Sequence, residues 1–312
     1  MNADECLPPA LRGPTTTLTP LVRGLSGAAV YRVEAAGAQY VLKIAGASER
    51  DADWHHALQM QRLAAEAGLA PRVLHVDEAR RAVLTPFIVD RSFVGYLRNP
   101  GTHEAALAQL GRTVRRLHEV PLPANASGRQ PLEFLAQTWE QLAGFALPAF
   151  VRDGIQRALA EPAPAEEGPP VFSHNDLNPG NLVYDGESIL FLDWATAGPQ
   201  DGSYDLAVLA VFLRLDDATC LRLLSAYDGA PCTALPAGFV YHRRLAATLA
   251  GAVALLLARQ AKHAGATGAE TLASTPALGE FYQRMMKGEL KLGTPEGQWW
   301  FGLALLKHGL SV

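Results

Sequence analysis

His174-Asn175-Asp176-Leu177-Asn178-Pro179-Gly180-Asn181, followed by Leu182-Val183-Tyr184, Asp185-Gly186, Ile189-Leu190-Phe191 and Leu192-Asp193-Trp194, is the stretch that decides the fold. Its two short apolar runs flank an Asp-Gly pair, a strong hairpin signal. The chain is therefore expected to run out along 182–184 and return along 189–192, which brings Asp193 back beside Asn181. In-line phosphoryl transfer calls for one carboxylate that orients a hydroxyl and takes its proton, and for oxygen ligands that hold Mg²⁺ against the phosphates. Asp176 suits the first role. Asn181 and Asp193 suit the second. The bland alternative is a polar turn ahead of an ordinary hairpin.

Upstream, residues 21–23, 29–33 and 39–44 read as strands of a small antiparallel sheet, with Ala36-Gly37 turning the last pair. Between the first two lies Arg23-Gly24-Leu25-Ser26-Gly27-Ala28-Ala29. Glycine and small side chains there let backbone approach a bulky anion closely. A helix is expected from Asp53 to Ala67, ended by Gly68. His55 and His56 lie within it as neighbours, which do not face the same way on a helix, so surface or hydrogen-bonded roles are expected and not a metal pair. Residues 72–77 and 82–85 read as further strands, and Pro86-Phe87-Ile88-Val89-Asp90 as a connector. Leu107, Leu110, Val114 and Leu117 then mark one face of a helix that closes on His118. Helices are expected over 131–160 and over most of 206–310, with 161–170 as a solvated connector. The apolar run 245–258 is shorter than the about 20 residues of a bilayer span and reads as a buried helix.

The stretch resembles the aminoglycoside phosphotransferase and choline kinase superfamily. His-x-Asp-x-x-x-x-Asn stands at 174–181, Asp193-Trp194 follows the hairpin, and Ala197-Gly198 leads on to Asp205-Leu206-Ala207. The resemblance covers roughly residues 20 to 260. It implies an α+β, protein-kinase-like bilobal fold: a small antiparallel-sheet lobe over 1–90 that ends in a hinge, and a larger, mostly helical lobe over 91–312, with ATP between them. By the same resemblance Asp176 is the catalytic base, and Asn181 and Asp193 hold Mg²⁺. Lys43, Ser26 and Gly27 steady the phosphates, while Pro86, Phe87 and Ile88 offer hinge backbone to the adenine. His174 organises the catalytic loop and His118 is structural. Asp205 either braces the loop through backbone amides or caps the helix that follows. One departure stands out: the middle of the 53–67 helix carries no carboxylate to pair with Lys43, which leaves Asp53 or a helix histidine as the expected brace.

With 312 residues, 49% hydrophobic and 19% charged, the chain has ordinary globular composition and length for two cores. Its formal charge of −4 lacks long runs of either sign, so neither a nucleic acid nor a membrane surface is expected as partner, and no protein partner is evident. A small-molecule alcohol is the default substrate. Cys6, Cys220 and Cys232 show no metal-ligand spacing, and the opening residues have no apolar leader core, so a cytoplasmic location is expected. Residues 218–312 carry nine basic and five acidic side chains, a net of +4, a poor surface for a polycation. Trp194, Tyr204, Tyr241, Trp299 and Trp300 offer faces for a single ammonium, with Asp201 or Glu280 as counter-charge. These features favour a choline- or ethanolamine-type acceptor. An aminoglycoside, thiamine or sugar kinase is the alternative, and a catalytically weak nucleotide-binding regulatory module is the alternative of another class.

Overall fold

The computed structural model describes residues 3–21, 27–124, 126–165 and 168–312. The chain forms two compact units, Met1–Leu122 with Pro179–Ala197, and Pro123–Asn178 with Gly198–Val312.

The first unit is built on a five-stranded antiparallel sheet of β1 (Thr17–Pro20), β2 (Ala29–Ala35), β3 (Ala38–Ile44), β4 (His75–Asp77) and β5 (Ala82–Pro86), in the order β1-β2-β3-β5-β4. Ala36 and Gly37 turn β2 into β3 with φ of 51° and 75°, the left-handed pair that suits a two-residue hairpin. Val33, Ala35, Leu42, Ile44, Ala82 and Leu84 bury one face of the sheet together with Cys6 and Leu7. Lys43 alternates with Leu42 and Ile44, so it projects from the opposite face, in register with Val30 and Val83. That face is covered by α1 (Asp51–Glu66), whose Trp54 and Leu58 pack against Val83. Asp51 and Asp53 in the first turn complement the helix dipole, and Gly68 at φ 71° stops it.

Two helices follow, α2 (Phe93–Arg98) and α3 (His103–His118), and the expected stripe of Leu107, Leu110, Val114 and Leu117 is fully buried. The chain then leaves this unit through α4 (Pro131–Gln141), α5 (Ala149–Ala160) and β6 (Val171–Ser173). It re-enters as the hairpin β7 (Leu182–Tyr184) and β8 (Ile189–Phe191), where the sequence placed it. Gly186 makes the turn at φ 106°, and Asp185 accepts the amides of Glu187 and Ser188. Two further anchors hold the hairpin: Asp90 accepts the Tyr184 amide at 3.0 Å, and Phe191 donates to the Leu69 carbonyl at 2.8 Å. Residue 90, the expected lobe boundary, lies inside this unit, shortly after the sheet ends.

Around α8 (Ala237–Gln260) the second unit is helical, with α4, α5, α6 (Gly202–Leu213), α7 (Asp217–Asp228), α9 (Leu278–Met286) and α10 (Pro295–Gly309). Leu245, Leu249, Leu255, Trp299, Leu303 and Leu306 form its core with Val151 and Ile155. A Cβ on Gly302 would lie 2.7 Å from Leu255 and 2.9 Å from the Gly251 carbonyl, so glycine is what lets α10 and α8 approach so closely. α8 corrects the length read from the sequence. It extends past Arg243 and Arg244 to 24 residues, long and apolar enough to cross a bilayer by length and composition, and Asp217 and Glu161 pair with those arginines. Inside the unit 61% of its most apolar window is buried, as befits a core helix. A short strand pair that the sequence did not suggest joins β6 to β9 (Gly198–Gln200).

The first strand runs over Thr17–Pro20, so Leu21 of the expected 21–23 lies past its end, while residues 22 and 23 and Ser26 lie outside the described residues. Gly27 is described, with φ of 72° that a larger residue would resist.

Candidate active site

The catalytic-loop segment belongs to the helical unit and is held almost entirely through its backbone. β6 delivers Ser173 and His174, both wholly buried. Asp205, also wholly buried on the first turn of α6, accepts the His174 amide on Oδ2 and the Asn175 amide on Oδ1, each at 2.8 Å. Capping of α6 falls instead to Asp201, whose Oδ1 accepts the Ser203 amide. Of the two roles open to Asp205, the geometry thus shows the amide brace. His174 Nδ1 accepts the Asp176 amide at 3.3 Å, and Asn178 Nδ2 donates to Asp176 Oδ1 at 2.9 Å. Asn175 takes φ of 65°, a left-handed turn that asparagine tolerates best among non-glycine residues, and Ser173 Oγ holds its side chain. One carboxylate is thereby fixed in place with its flanking amides satisfied. Tyr204 stands close by: burial pushes its phenol well above the usual tyrosine range, and the charges of Asp205 and Asp176 add to the shift.

In the sheet unit a cavity of about 240 Å³ is lined by Lys43, Glu49, Trp54, Asn181, Asp193 and Trp194 among others. Lys43 Nζ donates to Asp193 Oδ1 at 2.9 Å, with the two side chains 40% and 35% exposed. Neither guessed brace meets Lys43: Asp53 is gripped by Arg50 through two hydrogen bonds, and His56 bonds the Ala197 carbonyl at 2.7 Å. The helix face toward the cavity presents Trp54, Ala57, Leu58 and Gln61, none of them acidic. Asp193 is itself left-handed at φ 63°, and the Leu192 amide bonds the Asn181 carbonyl at 2.9 Å, so the hairpin locks the two residues side by side.

Asn181 and Asp193 bring hard oxygen donors to one cavity. Among the described residues no group of three or more His, Cys, Asp or Glu side chains gathers as a metal site. Such oxygen donors are of the kind Mg²⁺ takes, which uses one or two protein ligands with waters and substrate phosphates.

Pro86, at the end of β5, and Phe87 and Ile88 after it are half-buried, and none lines this cavity, although Thr85 does. The Phe87 amide donates to the Gln39 carbonyl at 3.0 Å, extending the sheet by one bond and engaging that donor. The residues expected around the acceptor do not form one open group. Trp194 is buried beneath its hydrogen bond to Phe191, Tyr241 belongs to the helical core, and Tyr204 packs edge-on to His242. Trp299 stacks on His263, Trp300 bonds Glu296, and Glu280 is exposed on α9. Asp201 keeps a partly open carboxylate, 3.9 Å from His242. Sequence reading missed Asn178 as the residue orienting Asp176 and Glu49 as a cavity carboxylate. The spacing of Asn178, two residues from the base, was the available signal for the first.

Fold and donor set together define a phosphotransferase. The model of the phosphotransferase enzyme family, APH, matches residues 17–247, and the chain belongs to that family. No curated protein matches the sequence significantly. Among solved structures it is similar to a choline/ethanolamine kinase family protein from Mesorhizobium loti, with 24% identity, a TM-score of 0.62, and 95% of this chain and 94% of the other covered. The choline kinase LicA from Streptococcus pneumoniae is 17% identical, with a TM-score of 0.60 and coverage of 87% and 92%. A spectinomycin phosphotransferase solved with ADP and spectinomycin is 14% identical, with a TM-score of 0.57 and coverage of 92% and 93%. These likenesses bear on the fold.

Proposed function

We propose that the protein transfers the γ-phosphoryl group of Mg²⁺-bound ATP to the hydroxyl of a small amino alcohol of the choline or ethanolamine type. The observation that carries the phosphoryl-transfer reading is the shared cavity of Asn181, Asp193 and Lys43, with five residues of chain from Asp176 to Asn181. Asn181 and Asp193 would hold the metal, which neutralises phosphate charge when bound. Lys43 contributes a point charge for the phosphates. Asp176 orients the acceptor hydroxyl and takes its proton, on a loop whose geometry is set before substrate arrives. His174 is no base in this scheme, since its Nδ1 is spent on the Asp176 amide.

Support for the acceptor class comes from charge. Residues 218–312 carry a net +4, which opposes an aminoglycoside with several ammonium groups, whereas one ammonium is matched by one carboxylate such as Asp201. The test is a coupled ADP-release assay with choline, ethanolamine, thiamine, sugars and kanamycin-like compounds in parallel. Turnover with an amino alcohol above all others is the expected result. Efficient turnover of an aminoglycoside with none on any amino alcohol overturns the acceptor, and Mg²⁺-independent or absent turnover with every compound overturns the reaction.

A further inference from the structure

Lys43 and Asp193 share their cavity with a second carboxylate, Glu49. Glu49 lies in the turn between β3 and α1, outside the helix. Its amide donates to the Gly46 carbonyl at 3.1 Å and its carbonyl accepts from Arg81, so the turn is tied at both ends of the residue. The carboxylate itself is half-buried and makes no hydrogen bond or ion pair with the described residues. Lys43, meanwhile, spends one of its three N–H donors on Asp193.

Asp193 faces two claims. A carboxylate that ligates Mg²⁺ gives its lone pairs and most of its field to the dication, and the ammonium beside it then meets a like charge. As Mg²⁺-nucleotide enters, Lys43 loses Asp193 as its protein counter-charge and turns to the phosphates, and a second protein anion is what fixes where its ammonium stands. Asp193 apart, Glu49 is the one acidic side chain lining the cavity among the described residues, and α1 supplies none. We propose that Glu49 is the positioning residue for Lys43: it becomes the counter-charge of the lysine when Asp193 turns to the metal. The inference rests on the reading of this cavity as the Mg²⁺-nucleotide site. It assigns to the turn before the helix the task that the acid-free helix face cannot perform.

The test is a double-mutant cycle on nucleotide affinity, read by titrating ADP against the fluorescence of Trp54 and Trp194, which line the cavity. Wild type, Glu49→Gln, Lys43→Met and the double variant are each titrated in Mg²⁺ and in EDTA, with melting temperatures recorded. Glu49→Gln is expected to weaken ADP about tenfold in Mg²⁺. It should change affinity little in EDTA, where Asp193 still holds the lysine, and little in the Lys43→Met background. A merely structural role would lower affinity in all four settings, and that outcome overturns the proposal, as does wild-type affinity in Mg²⁺. Failure of the underlying reading looks different: Asp193→Ala and Lys43→Met would then bind MgADP as wild type does. Asp53→Asn, which changes a residue outside the cavity lining, should match wild type throughout.

Discussion

The two stretches that carry the chemistry are held in opposite ways. Around Asp176 the loop is closed by a buried carboxylate on two amides, a buried imidazole on a third and an amide side chain on the acid itself. Around Asp193 the carboxylate meets Lys43 in a half-exposed ion pair. Such a pair contributes about 1 kcal/mol or less after solvent screening, whereas each charge-assisted bond of a buried acid contributes about 1.5–3 kcal/mol. A group that must meet a hydroxyl at one angle benefits from rigidity fixed in advance. A group that must trade a lysine for a metal benefits from a contact that is cheap to break. Both Asn175 and Asp193 sit in left-handed backbone, so strain is common to the two regions and the holding differs.

Replacing the base itself should have the largest effect. Asp176→Asn keeps the shape and the acceptor site for Asn178, but removes the proton acceptor, so kcat should fall about a thousandfold. ADP affinity should hold. Comparable rates for the variant and wild type in one assay would take Asp176 out of the mechanism. Next comes Asp205→Ala, which strips two amides of their partner in a fully buried site and should cost about 3 kcal/mol of stability. Thermal unfolding and kcat should both fall, with Asp205→Asn intermediate because it keeps one acceptor oxygen. A rigid loop in Asp205→Ala, shown by unchanged exchange of the His174 and Asn175 amides, would erase the contrast between the regions.

On the other side of the comparison, Asp193→Ala should cost less folding stability than Asp205→Ala, because its ion pair to Lys43 is half-exposed. Its cost should appear as MgADP affinity weakened by tenfold or more, through loss of a metal ligand. Lys43→Ala should raise the KM for ATP and lower kcat, with a stability change under about 1 kcal/mol. If either variant unfolded as readily as Asp205→Ala, the exchangeable-pair account would fail.

How far the sequence foretold these regions follows the range of the interactions. The β7–β8 hairpin was legible because Asp185-Gly186 and its flanking apolar pairs are local, and the buried face of α3 because helical spacing is local too. The Asp205 brace spans 31 and 30 residues, yet its place in the Asp-Leu-Ala run made it one of two readings. The partner of Lys43 was not legible: Asp193 is 150 residues away, and two nearer groups were favoured by proximity alone. The extent of α8 was less legible, since only the apolar run 245–258 marked it, and the partners of Arg243 and Arg244 within it, Asp217 and Glu161, are distant in sequence.

The smallest expected effect is a loss of stability with falling pH in the helical unit. Burial lowers the pKa of His242, against a weaker upward pull from Asp201, and burial lowers that of His308, with Arg243 adding to it. Unfolded, each histidine titrates near 6.5. As pH falls through about 6.5 the unfolded chain takes up these protons first, so stability present at neutral pH is lost, and the loss ends only below the folded values. Amide exchange in α6 and α8, followed from about pH 7.5 down to about 5.5, should quicken once corrected for its intrinsic rate. His242→Gln preserves a bond to Ser203 Oγ, now 2.7 Å from His242 Nδ1, and should flatten part of that slope. The sheet unit has neither histidine and should show no matching change in α1. Should α6 and α8 stay flat in wild type, or keep the full slope in both His242→Gln and His308→Gln, burial of these imidazoles does not govern the stability of the unit that holds the catalytic loop.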